Sequence, residues 1–192
     1  MVTFIDFFSG IGGFHSGFEK AGMKCVGWCE FDQFAQKSYG ALYDTEGMWF
    51  SDDVRKGRGW ELPNATIWCF GFPCQDVSIA GKQRGIRRGT RSGLFYEVMR
   101  LIDECEENKP QWLVCENVRN LLSIEGGAMY IRKLTPRECW RLQGFTDEQF
   151  EKAKAVNSDS QLYKQAGNAV TVNVTYEIGK HIMNIINKEN NQ

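Results

Sequence analysis

The run Thr66-Ile67-Trp68-Cys69-Phe70-Gly71-Phe72-Pro73-Cys74-Gln75 organises the reading of this chain. Thr66 to Phe70 is short, apolar and rich in β-branched and aromatic residues, the pattern of a buried strand. It runs straight into a glycine, a proline and a cysteine. The proline ring fixes φ and stiffens the turn, so Cys74 is presented where a strand ends and a loop begins. In an open α/β sheet that edge faces ligands. A cysteine there is either a small buried apolar residue or, with its pKa lowered, a strong nucleophile. The following segment is basic and glycine-rich, with Lys82, Arg84, Arg87, Arg88 and Arg91 inside ten residues.

Upstream, Thr3 to Phe8 reads as another short buried strand, broken by Ser9-Gly10-Ile11-Gly12-Gly13. A helix is predicted from there to about Ala21, stopped by Gly22. Strand, glycine turn and helix together present backbone N–H groups and a positive helix end to a ligand. The dinucleotide fingerprint requires a third glycine where His15 stands, so the spacing departs from the pyrophosphate motif. Met23 to Cys29 is the second strand, closed by Glu30. Glu30 lies twenty residues past Gly10, where an acid takes ribose hydroxyls in nucleoside-binding α/β folds. It also suits the start of the next helix, opened by Phe31-Asp32-Gln33 and running to about Tyr43. A short third strand near Met48-Trp49-Phe50 leads to Asp52-Asp53-Val54. An acid at that point serves an adenine amino group or a plain turn equally well.

Downstream, Gly93 to Asn108 reads as an amphipathic helix with Leu94, Val98, Leu101, Ile102 and Cys105 on one face. Gln111 to Cys115 is a fifth strand that delivers Glu116-Asn117-Val118 to the same sheet edge as Cys74. A carboxyl at such a strand end, in an apolar pocket, can stay protonated near neutral pH and donate a hydrogen bond. Five strands mostly joined by helices predict an α/β fold, a doubly wound and mainly parallel sheet. Residues 123–131 read as a linker. Thr135-Pro136-Arg137-Glu138 then opens a helix with a capping box and proline at its first position, ending near Gln143-Gly144. A second short helix spans about Asp147 to Val156. Gln165 to Val170 reads as a turn into a last helix reaching about Ile186.

With 192 residues the chain is expected to form one domain: a core over 1–122, the linker, and a C-terminal helical segment over 132–192. Hydrophobic content of 42% and charged content of 24% are ordinary for a soluble globular protein. No apolar run is long enough to span a membrane, and the first residues lack the pattern of a signal peptide. Seven scattered cysteines are expected to be reduced, which places the protein in the cytoplasm. Cys25 and Cys29 have no following His/Cys set, so no metal site is expected. A net charge of −1 gives no global basic field; the positive charge is local, in the loop after Cys74.

Taken together, Asp6-Phe7-Phe8-Ser9-Gly10-Ile11-Gly12-Gly13, Gly71-Phe72-Pro73-Cys74-Gln75, Glu116-Asn117-Val118, Arg132-Lys133-Leu134-Thr135-Pro136-Arg137-Glu138 with Arg141-Leu142-Gln143-Gly144-Phe145, and Gln165-Ala166-Gly167-Asn168-Ala169-Val170 resemble the C5-cytosine DNA methyltransferases. Each motif is moderately specific; all five in this order are highly so, and they span nearly the whole chain. The resemblance implies methylation of DNA cytosine, as in restriction-modification, with S-adenosylmethionine as cofactor. Cys74 would add to C6 of cytosine, and Glu116 would hold or protonate N3. The cofactor would lie against Phe8, Gly10, Ile11 and Gly12, with Glu30 on the ribose and Asp53 on the adenine. Phe31, Val54, Pro73, Leu94 and Asn168 would complete that pocket. Gln75, Ser78, Lys82, Arg84 and Arg88 would face double-stranded DNA whose target base has been flipped from the stack.

The chain departs from that family between Asn117-Val118 and Arg132-Lys133-Leu134. The family places there two more strands, an arginine-bearing motif and a target-recognition domain. Here about a dozen residues bridge the gap, including Gly126-Gly127-Ala128, which resembles a joint. Base reading in the major groove is therefore expected to be missing, and the sheet is expected to end on an open edge. An engineered deletion, a natural degenerate copy and one piece of a split enzyme all fit. The resulting expectation is a methyltransferase weak or inactive alone. The alternatives are a non-catalytic cofactor-binding partner that relies on a second chain, and an RNA cytosine-5 methyltransferase of the same fold.

Overall fold

The computed structural model describes residues 1–71, 94–106, 108–116 and 134–189. Five strands, β1 (Thr3–Phe7), β2 (Lys24–Cys29), β3 (Trp49–Ser51), β4 (Ile67–Gly71) and β5 (Trp112–Glu116), form one sheet in the order β3-β2-β1-β4-β5. All four neighbouring pairs are parallel. Helices α1 (Gly13–Lys20) and α2 (Gln33–Leu42) make the crossovers β1 to β2 and β2 to β3, and α3 (Leu94–Glu104) precedes β5. The strand order reverses between β1 and β4. That switch point opens a crevice at the carboxyl ends of the two strands.

The pleat explains the two cores. Along β1, Ile5 and Phe7 turn to one face, where they pack with Trp68, Phe70, Val98 and Leu101. Phe4 turns to the other, joining Ile67, Cys69, Phe14, Phe18 and Ile182. Successive strand residues point to opposite faces, so a central parallel strand reads as an unbroken apolar run. On β4, Ile67 to Phe70 are all buried. Burying each large apolar side chain contributes about 1.5–3 kcal/mol.

Four further helices follow: α4 (Pro136–Leu142), α5 (Asp147–Lys154), α6 (Asp159–Asn168) and α7 (Val172–Glu189). Thr135 and Glu138 make the reciprocal capping box expected from sequence, and Thr146 with Gln149 makes a second. Trp140, Phe145, Phe150 and Leu162 build a third core that takes in Ile11 from the turn after β1. α7 lies along α1, where Thr175 Oγ1 donates to the Gly13 carbonyl at 2.8 Å. Gly17 has no room for a side chain, since a Cβ would stand 1.9 Å from Thr175 Oγ1.

Several boundaries differ from the sequence reading. Gln165 to Asn168 is not a turn but the last part of α6; only 169–171 connects it to α7. Leu162, Gln165 and Ala166 recur at helical spacing and are buried, while Gly167, weak in helices, is exposed and costs little there. α3 stops at Glu104, four residues short of the expected end, and Glu106 takes a positive φ of 50°. β1 stops at Phe7 because Phe8 turns to φ 55°. α5 ends at Lys154 rather than Val156. The proposed linker, 123–131, lies outside the described residues. Among the described residues no helix is long and apolar enough to cross a membrane, and no group of His, Cys, Asp and Glu could hold a metal ion.

Candidate functional site at the carboxyl edge of the sheet

The turn after β1 is held from several sides. The Ser9 N–H donates to the Cys29 carbonyl at 3.0 Å, and the Gly12 N–H to the Ser9 carbonyl at 2.8 Å. Phe8 occupies the left-handed region at φ 55°, a conformation that costs a non-glycine residue about 1–3 kcal/mol and marks functional turns. Gly10 (φ 56°) and Gly12 (φ 79°) take the same region at no such cost. Above Gly10 a Cβ would meet none of the described residues within 4 Å, so among them its backbone faces open space. The Ile11 side chain, 1% exposed, is committed to the third core; only its backbone is left for a ligand.

Glu30 ties β2 to that turn. Its carboxylate accepts the Gly10 N–H at 2.8 Å on one oxygen and the Asp32 N–H at 2.7 Å on the other. Burial pushes the carboxyl above its usual range, while those two N–H donors pull it back. Each oxygen keeps a further lone pair for a hydroxyl donor. The neighbouring Phe31 ring is 73% exposed, unusual for an aromatic side chain placed beside a polar crevice. Asp53 ends the β3 region and is engaged by Arg55, whose Nε stands 2.9 and 3.0 Å from its two oxygens. That hydrogen-bonded pair holds the Asp53 carboxyl below its usual range. An adenine amino group would have to share Asp53 with Arg55. Val54 is buried in the first core and Leu94 packs against it. Asn168 is exposed at the end of α6.

On the other side of the switch point, Gly71 and Glu116 are register partners at the ends of β4 and β5. A Cβ on Gly71 would stand 3.0 Å from Glu116 Oε2, so glycine leaves room for the carboxyl beside the strand end that leads to Cys74. Burial holds the Glu116 carboxyl above its usual value, the direction a proton donor needs. Pro73, Cys74, Gln75, Ser78, Lys82, Arg84 and Arg88 lie outside the described residues, as do Asn117 and Val118.

The structure thus brings Phe8, Gly10, Gly12, Glu30, Phe31, Asp53 and Glu116 to one edge of the sheet. Sequence reasoning missed Tyr43. Its hydroxyl donates to the carbonyls of Gly12 at 2.8 Å and Ile11 at 3.1 Å. Its ring fills the place a Cβ on Gly12 would take, at 2.4 Å. No spacing rule points to it, since its partners come from the other side of α1.

A family model described as "C-5 cytosine-specific DNA methylase" matches residues 2–130 and 125–184. Type II methyltransferase M.HhaI of Haemophilus parahaemolyticus is 36% identical over 126 residues, 66% of this chain and 36% of that protein. Type II methyltransferase M.MspI of Moraxella sp is 40% identical over 124 residues, 65% of this chain and 28% of that protein. The chain therefore spans roughly a third of the length of these relatives. Among solved structures, Entamoeba histolytica methyltransferase EhMeth superposes with a TM-score of 0.75 at 14% identity, over 97% of this chain and 99% of that one. S. pombe Dnmt2 methyltransferase gives 0.66 at 13% identity, over 93% and 97%; at such identities the likeness is one of fold. The family model covers most of the chain, and the chain belongs to the C-5 cytosine-specific DNA methylase family.

Proposed function

We propose that this chain is the cofactor-binding and catalytic core of an S-adenosylmethionine-dependent DNA (cytosine-5-)-methyltransferase that needs target recognition from elsewhere. The observation that supports it most is the meeting of Glu116 with Gly71 at the strand end leading to Cys74. The residues present fit the cofactor: open space over Gly10, a carboxylate at Glu30 with accepting capacity left, and an exposed ring at Phe31. Glu30 would take the ribose hydroxyls, Phe31 the adenine face, Asp53 the adenine amino group, and the turn from Phe8 to Gly12 the amino acid end. Val54, Pro73, Leu94 and Asn168 would line the remainder. When bound, S-adenosylmethionine supplies an electrophilic methyl group.

The chain's own residues activate the acceptor. Cytosine is a poor nucleophile at C5. The Cys74 thiolate would add to C6, and the electron pair displaced into the ring makes C5 nucleophilic. Glu116, whose carboxyl burial pushes above its usual value, would hold N3 and stabilise the charge that builds there. The base must leave the duplex to reach them. Gln75, Ser78, Lys82, Arg84 and Arg88 would close on the DNA, the cations on its phosphates, giving salt-dependent affinity. Only residues 117–133 separate β5 from the C-terminal segment, and the two family matches meet within that stretch. A second chain supplying recognition would fill the role of what relatives carry in between.

The test is covalent trapping on a 5-fluorocytosine duplex with S-adenosylmethionine, against Cys74→Ala. The expected result is weak trapping by the chain alone, none by the variant, and unchanged cofactor binding in both. Loss of cofactor binding in Cys74→Ala would make that cysteine structural. Robust sequence-specific methylation by the lone chain would overturn the need for outside recognition. Transfer to tRNA but not to DNA would overturn the substrate.

A further inference from the structure

A line of hydrogen bonds runs from the C-terminal helices to the glycine turn. Gln149 on α5 donates from Nε2 to Ser16 Oγ on α1 at 2.9 Å. Ser16 Oγ lies 2.6 Å from the Tyr43 hydroxyl. Tyr43 has one hydroxyl hydrogen, and the Gly12 and Ile11 carbonyls can only accept it. Ser16 must therefore donate to Tyr43, and every donor in the line points the same way. Aligned donors polarise and strengthen one another. Burial holds the Tyr43 phenol well above its usual pKa, so it stays a donor. Its ring is fixed as well: the His15 imidazole stacks on it with centroids 3.9 Å apart and planes 10° from parallel. His15 is in turn held by Tyr39, whose hydroxyl stands 2.5 Å from Nδ1.

The two carbonyls that receive this line belong to residues on the ligand side of the turn. With the Ile11 and Gly12 carbonyls pulled toward Tyr43, the turn is held in one arrangement, with Gly10 facing open space. We propose that Tyr43 is a positioning residue for the cofactor turn, its hydroxyl closing a Gln149–Ser16–Tyr43 line that pre-orders Ile11 and Gly12 for S-adenosylmethionine. The line also connects the C-terminal segment to a site built from the first strands: α5 reaches the turn through Ser16.

This inference rests on the cofactor reading, and its test separates the two. Tyr43→Phe keeps the ring against His15 and Gly12 and removes only the hydroxyl. Gln149→Glu keeps the oxygen that accepts the Thr146 N–H in the α5 cap and removes the donor to Ser16. Deuterium uptake over residues 8–16 is measured without cofactor, and S-adenosylmethionine binding by calorimetry. The expected result is about tenfold faster exchange in that segment for Tyr43→Phe, and cofactor binding about 3- to 10-fold weaker in both variants, the scale of one hydrogen bond. The double variant should bind little worse than Tyr43→Phe alone, because the two act through one line; a purely structural loss would add. Unchanged exchange and unchanged affinity in Tyr43→Phe would overturn the role of Tyr43 and leave the cofactor reading standing. Faster exchange in a protein whose parent form does not bind S-adenosylmethionine would keep the ordering role and overturn the cofactor reading.

Discussion

Asp6 gives the sharpest test of the electrostatics under the site. It is fully buried on the α1 side of β1, and its Oδ2 has no partner among the described residues. Cys69 Sγ stands 3.8 Å from Oδ1, and the His15 backbone and the Cys69 thiol offset only part of the cost of burial. Burial raises its pKa from 3.8 to about 8. Between those two values the native state holds a proton that the unfolded chain has released. Stability from this group is therefore fully present below the unfolded pKa and is lost as pH rises toward 8, by about 1.4 kcal/mol per unit. From pH 5 to pH 7 the loss is about 2.7 kcal/mol, an order-of-magnitude figure. Asp6→Asn keeps the shape and cannot ionise. Urea unfolding, followed by tryptophan fluorescence at pH 5, 6 and 7, should show the stability gap between parent and variant narrowing or reversing by that amount. Titrating groups that do not interact with Asp6 cancel in the difference; Glu30, whose charge raises the Asp6 pKa, is part of what the difference reads. Parallel curves across the range would refute the reasoning and mean that Asp6 is ionised and compensated.

Glu30→Ala should weaken S-adenosylmethionine binding by about 1–3 kcal/mol, since it removes charge-assisted hydrogen bonds to the turn; an unchanged dissociation constant by calorimetry would move the ribose contact elsewhere. Gly17→Ala should destabilise the fold by about 2–4 kcal/mol in a urea titration, because the new methyl enters the space of Thr175 where α1 and α7 touch. The rate of trapping on 5-fluorocytosine duplex should fall as pH rises through the raised Glu116 pKa, and that fall should be absent in Glu116→Gln. Thr135→Ala should cost about 1 kcal/mol through loss of the α4 capping box, read as a lower urea midpoint.

The strands, the α4 cap and the glycine turn were legible because each depends on neighbours within a few residues. β-branched and aromatic runs favour a pleat, Thr135 can cap only the helix it starts, and Gly10 and Gly12 admit a left-handed backbone wherever they stand. The Glu30 position was legible too, since crossover geometry sets where the second strand must end. α6 was misread because Gln165, polar, occupies its buried face. Gln165 is satisfied by Ser38 and the Phe34 carbonyl, more than 120 residues away in the chain. The commitment of Ile11 to the C-terminal core and the whole line through Tyr43 belong to the tertiary structure alone. Local sterics decide which backbone shapes a residue can take, and they act within a turn or two of helix. Which polar group wins a given donor depends on what folding has brought within 3 Å, and no local pattern in the chain records that.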